Sequence, residues 1–333
     1  MRCDAAPFTN ANSADMKHLA VTSLALAAAL SLSAQRVEPI KFGNFDQWLC
    51  RNIKESSLLG GDTKKVYEIC PAGTDNSGKP YTTRGGSPWG TSNVLASPAG
   101  ITKTSNAVFP EDCPGHGKCA KLTCMFEHCK VLGMVNMEVL VGGSIFTGQM
   151  IEPIKSTKNP YSKMNMGVPF TGRPKALRFD YRAVVPNTGT RTYSSGFGKK
   201  KTVQGGDHAE ALIFLQRRWE DAKGNIYAKR VGTAREKYSR STSGWVNNHD
   251  MKITYGDATK HAGYNASMGL IPDKNSYYAR NSKGKMVPVH EVGWDDANAT
   301  PTHMIVMFSA SGGEPYLGTP GLTLYVDNVS LVY

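Results

Sequence analysis

"TPGLTLYVDNVSLVY" (Thr319–Tyr333) ends the chain, and its alternation decides how the rest is read. Leu322, Leu324 and Val326 fall on one face of a strand, with Thr323 and Tyr325 on the other, because successive side chains of a strand point to opposite sides. The phase then slips, and Val329, Leu331 and Tyr333 carry the apolar pattern on odd numbers. One residue is therefore inserted at Asp327–Asn328, as in a β-bulge. A carboxylate at such a point calls for an explanation, since another valine would pack better.

Other segments repeat the strand pattern. "KALRFDYRAVV" places Leu177, Phe179, Tyr181 and Ala183 opposite Arg178, Asp180 and Arg182. "KKVYEIC" (Lys64–Cys70), "KVLGMVNMEVLVGGSIFTG" (Lys130–Gly148), "HAEALIFLQRRW" (His208–Trp219), "IYAKRVGTA" and "HMIVMFSAS" (His303–Ser311) follow, with a turn at Asp221–Asn225. No crossover helices separate them. The expectation is an all-β chain folded as an antiparallel β-sandwich of jelly-roll type.

Ahead of these, Met16, Lys17 and His18 precede "LAVTSLALAAALSLSAQ", which reads as a secretory signal cleaved after Ala34, with residues 1–15 as an upstream extension. Residues 35–333 are then one domain, periplasmic, secreted or at the cell surface, with no membrane-spanning segment. The net charge of +12 is spread in short clusters such as Lys199–Lys201 and Arg217–Arg218. With export, that argues against nucleic acid and leaves an anionic glycan as the partner to consider. Past the signal stand Cys50, Cys70, Cys113, Cys119, Cys124 and Cys129, an even set that suggests disulfides of open connectivity. "DCPGHGKCAKLTCMFEHC" adds His116 and His128, but lacks the two-residue sulfur spacing of the familiar zinc modules.

Five segments in order, "WGTSN" (Trp89–Asn93), "GSIFTG" (Gly143–Gly148), "GVPFTGRPKALRFDYRA" (Gly167–Ala183), "MIVMFSAS" (Met304–Ser311) and "YLGTPGLTLYVDNVSLVY" (Tyr316–Tyr333), resemble the carbohydrate metabolism domain family of exported bacterial proteins. The resemblance runs from about Trp89 to the end. It implies a jelly roll similar to carbohydrate-binding modules and some glycan-degrading enzymes. "KFGNFDQWL" (Lys41–Leu49) is similar to the opening strand of such modules, in which first and last strands lie side by side and hold a structural calcium. The corresponding carboxylates here are Asp46 and Asp327, and calcium takes six to eight oxygen ligands. The alternative is that Asp327 caps the bulge.

Sugar binding on this fold needs aromatic faces beside polar groups. Trp89 with Asn93, in a loop rich in glycine and proline, and Tyr161 in "NPYSKMN" are the candidates. Trp89 could equally close over the core. Trp48, Trp219 and Trp245 read as core residues. Hydrolysis would need two carboxyl groups across a cleft; Glu152, Asp180 and the Asp295–Asp296 pair are available, without a legible constellation. The expected function is non-catalytic glycan binding in polysaccharide or oligosaccharide use. A glycoside hydrolase or polysaccharide lyase of the same fold, and a surface adhesin or assembly subunit, are the alternatives.

Overall fold

The closing strand organises the molecule. The computed structural model describes residues 35–131, 135–156, 159–196, 198–312 and 314–333, so the expected export signal lies outside the described residues. In chain order the principal strands are β1 (Val37–Pro39), β2 (Trp48–Lys54), β3 (Thr63–Ile69), β4 (Val108–Cys113), β5 (Gly117–Val131), β6 (Val135–Gly142), β7 (Ser144–Met150), β8 (Ala176–Val184), β9 (Ala209–Glu220), β10 (Ile226–Tyr238), β11 (Val246–Lys252), β12 (Met286–Trp294), β13 (His303–Ser309) and β14 (Thr323–Val332). The helices among the described residues are single 3-10 turns. Val37–Tyr333 is one compact unit.

β14 lies inside a sheet ordered β6–β5–β14–β8–β11. Its inward residues, Leu324 and Val326 before the slip and Val329 and Leu331 after it, are buried with Leu177, Phe179 and Ala183 of β8. They pack on Ala211, Ile213 and Leu215 of β9 and Val306 and Phe308 of β13 in the facing sheet. The protein is thus an all-β sandwich. Each large apolar side chain enclosed between the layers contributes about 1.5–3 kcal/mol.

The facing sheet departs from a plain antiparallel layer. β7, β13, β9 and β10 follow one another antiparallel, but β12 joins β10 in parallel. β7 also pairs with Met164–Met166, which adjoins Tyr278–Arg280, which returns to β12. The layer thereby curls around Phe146, Met150, Met164, Met166, Phe214 and Met307. Methionine suits such an irregular interior because its unbranched chain fills gaps that branched residues leave.

The two ends of the described chain meet. Val37, Glu38 and Pro39 pair with Val332, Leu331 and Ser330. Along that edge β14 changes partner, from β5 at Thr323–Val326 to β1 at Ser330–Val332, and the bulge falls in the gap. Ile40 N donates to Val329 O at 3.0 Å, and Val329 N to Gly43 O at 2.8 Å. A Cβ on Gly43 would stand 2.8 Å from two carbonyl oxygens, so only glycine allows this approach. Lys41–Leu49 is consequently not the opening strand its pattern suggests. The edge it would use is occupied by β1 and β5, and residues 41–47 turn to deliver Phe45 to the core before Trp48 begins β2.

Candidate functional site

The bulge at Asp327–Asn328 is one of two on the opposite edges of β8, at the adjacent residues Phe179 and Asp180. Across β8 and β14, Asp180 faces Asp327 and Arg178 faces Ser330, so Asn328 and Val329 together oppose the single Phe179. On the other edge of β8, Phe179 faces His249 and Tyr181 faces Val246, which leaves Asn247 and Asn248 against Asp180. Asn328 and Asn248 both sit at φ 53°, a left-handed conformation that asparagine tolerates better than most residues. Both then serve Asp180. Asn248 N donates to Oδ1 at 2.6 Å, and Asn328 Nδ2 donates to Oδ2 at 2.8 Å. Asn328 also binds its neighbour, through N to Asp327 Oδ1 at 2.8 Å and Nδ2 to Asp327 Oδ2 at 3.2 Å.

His116 covers this pair. It belongs to the turn between β4 and β5, closed by the Cys113–Cys119 disulfide and by His116 N donating to Cys113 O at 2.9 Å. Its Nδ1 stands 3.2 Å from Asp327 Oδ2 and 3.6 Å from Asp180 Oδ2, and its ring stacks on Trp245 at 3.9 Å. One ligand atom from each of His116, Asp180 and Asp327 lies within 4.8 Å of the others. Burial, with Asp180 adding to it, pushes the Asp327 carboxyl up to about 6, against the opposing pull of the Asn328 N–H and of His116. Among the described residues no arginine or lysine forms an ion pair with either acid. Arg182, on the same sheet face, lies over the Tyr325 ring at 4.1 Å.

Asp46, in the segment between β1 and β2, meets the same turn from outside. Its Oδ1 accepts from Lys118 N at 3.1 Å, and a Cβ on Gly117 would come within 2.7 Å of that oxygen. It is exposed and is not in the close cluster with Asp327. Asp46 and Asp327, paired in the sequence reading, both approach this turn, while Asp180 and His116 supply the ligand atoms that cluster with Asp327.

The remaining candidates are dispersed. Trp89 is 1% exposed; its ring packs edge-on against Phe45 at 5.4 Å and its Nε1 donates to Lys41 O at 3.0 Å, so it closes the core and offers no open face. Asn93 is fully buried, donating to Tyr67 O and Val108 O and accepting from Ala107 N and Val108 N. Tyr161 packs beside the methionine cluster, where burial raises its phenol. Glu152 is locked in an ion pair with Arg51 at 2.6 Å and accepts from Tyr81 N and Leu95 N. Arg51 also holds Glu68 at 2.6 Å. Asp295 pairs with Arg217 at 2.6 Å. Among the cysteines, Cys50, Cys70 and Cys124 are free thiols, and Cys129 lies where no side chain is described. Burial pushes the Cys124 thiol up to about 12, which keeps it unreactive. His128 faces Glu138 rather than sulfur.

Trp219 corrects the sequence reading outright. It is 42% exposed, because β9 outruns the sandwich and only its first eight residues are covered. Trp219 faces Tyr227 on β10, and Tyr227 faces His290 on β12. The rings follow one another at 5.9 and 5.6 Å, nearly parallel in the first pair. An open recess of about 580 Å³ adjoins them, lined by Tyr227, Pro272, Asp273, His290 and Val292. His290 Nδ1 and Asp273 Oδ1 are 2.8 Å apart. A second recess of about 710 Å³, by Tyr67, Phe109, Lys121 and Phe126, lies elsewhere on the surface. The alternation "RRWE" and "NIYAK" held the signal for the strip, had the end of β9 been placed beyond the core.

Comparison with known proteins now assigns the chain. A family model, the Putative carbohydrate metabolism domain, matches residues 58–265. The chain belongs to that family. Two solved structures are similar in outline, each described as a putative glycoside hydrolase. One, from Bacteroides thetaiotaomicron, is 17% identical over 85% of this chain and 70% of its own, with a TM-score of 0.44. The other, from Bacteroides vulgatus, is 18% identical over 68% of this chain and 76% of its own, with a TM-score of 0.40. No curated protein matches. Family membership supports a carbohydrate-related role, and no described helix is long and apolar enough to cross a membrane.

Proposed function

We propose that this carbohydrate metabolism domain protein is an exported, non-catalytic glycan-binding component of polysaccharide use that holds its ligand along Trp219, Tyr227 and His290. The exposed aromatic row carries the reading. Rings on three adjacent strands offer apolar surface to the C–H faces of pyranose units, while Asp273 and His290 bring hydrogen-bonding groups to the adjoining recess. The net charge of +12 favours an anionic chain over a neutral one. The Cys113–Cys119 disulfide is in keeping with an oxidising compartment.

A glycan array followed by affinity electrophoresis and product analysis tests this. The expected result is retention without new reducing ends. Trp219→Ala and Tyr227→Ala should each lose about tenfold or more in affinity, equivalent to about 1.4 kcal/mol. Phe109→Ala, in the other recess, should bind as the parent does. Undiminished binding by Trp219→Ala overturns the site, and cleavage of the glycan replaces recognition with hydrolysis or elimination.

A further inference from the structure

We infer that His116, Asp180 and Asp327 form a binding site for a first-row divalent metal ion, of the kind represented by Zn2+ and Mn2+, which fastens the β4–β5 turn to β8 and β14. Among the described residues, other buried side-chain carboxylates have a permanent cation: Glu152 and Glu68 have Arg51, Glu291 has Arg230, Glu210 has Arg235 and Glu55 has Lys103. Asp207 has none, but it is a lone acid with three backbone N–H donors. Asp180 and Asp327 are two acids together, and their companions are neutral amides and one imidazole. Burying like charges without a countercharge is costly, so such a pair calls for a proton or a cation.

The surroundings suit a cation. The amide donors of Asn248 and Asn328 fix both carboxylates, in the manner of the outer groups that orient metal ligands. His116 aims its Nδ1 at both acids, and stacking on Trp245 holds the ring in place. The two asparagine bulges turn the acids together on one sheet face, under the turn that carries the imidazole. The side chains of Asp180 and His116 remain 10% and 7% exposed, which leaves a path for an ion and for water to complete its coordination.

Donor chemistry selects the ion. One imidazole nitrogen with two carboxylates matches Zn2+ or Mn2+, whereas calcium seeks six to eight oxygens. The calcium expected from similarity to sugar-binding modules therefore fits this donor set poorly.

The test uses the full chain, stripped with a chelator and titrated separately with Zn2+, Mn2+ and Ca2+. Zn2+ or Mn2+ should be retained at one ion per chain after desalting and should raise Tm by about 3–6 °C at saturating excess. Asp180→Asn and Asp327→Asn preserve shape and should keep the far-UV spectrum while losing the increment. Co2+ should give visible absorption bands that disappear in His116→Gln. Retention of no ion, a Tm response to Ca2+ alone, or a Zn2+ response that survives in both asparagine variants would each overturn the site.

Discussion

Two buried pairs of acids in this molecule are partnered in different ways. At the β2–β3 side, Glu68 and Glu152 share Arg51, whose charge is permanent and whose fork reaches both. At the bulge, Asp180 and Asp327 share one imidazole, His116, and among the described residues no arginine or lysine pairs with either acid. The first pair is sealed, with Arg51, Glu68 and Glu152 side chains no more than 4% exposed. The second keeps contact with solvent. A guanidinium fork between two acids makes a structural knot, whereas acids that meet only an imidazole and amides leave room for an exchangeable partner.

The largest effect should come from breaking the permanent pair. Arg51→Met removes the cation shared by the buried Glu68 and Glu152 and should cost about 3–5 kcal/mol in urea unfolding. A loss under 1 kcal/mol would remove the contrast between the two sites. At the bulge, Asn328→Ala loses both the tolerance for φ 53° and the donor to Asp180, for about 2–3 kcal/mol. Asn328→Gly keeps the backbone freedom and should cost about half as much. Equal losses in the two variants would mean that the side-chain bond, not the conformation, fixes the acids.

The Arg51 pair also has a pH signature. Burial pushes Glu68 from the ordinary 4.5 up to about 8 despite Arg51, with Glu152 adding to the rise. The folded protein therefore holds that proton more tightly than the unfolded chain. Its contribution is complete below pH 4.5 and fades as pH rises through about 8. Glu68→Gln should flatten stability across this window by on the order of 1–2 kcal/mol relative to the parent. A parallel pH profile for parent and variant would show Glu68 already ionised beside Arg51.

The contrast also explains what the sequence could reveal. The slip after Val326 is legible because period-two alternation registers a single inserted residue, and β14 does bulge there. The pattern at Ala176–Val184 likewise reports which face is inward. Local patterns do not report which distant residue meets a bulge. His116 and Asp327 are 211 positions apart, and Asn248 reaches Asp180 only through an irregularity on the opposite edge. Trp89 left two alternatives open because its loop composition resembles a surface loop, and packing against Phe45 decides for the core. Trp219 misled, since strand periodicity continues past the point where the core ends. Both cases turn on where the second layer stops, which no single strand encodes.

The smallest effect sharpens the assignment of the metal. Asp46 holds the same turn from its exposed side, next to Lys118 N, while His116 holds it from within. Asp46→Asn retains an acceptor for that N–H and should change stability by no more than about 0.5 kcal/mol, as surface substitutions do. Its Tm response to Zn2+ should match the parent, because its carboxylate is outside the three-ligand cluster. A calcium-dependent Tm that disappears in Asp46→Asn would instead place a calcium between the first and last segments, and the His116 cluster would then be a proton-sharing lock. The two arrangements use opposite sides of one turn, so measuring both variants with both ions separates them.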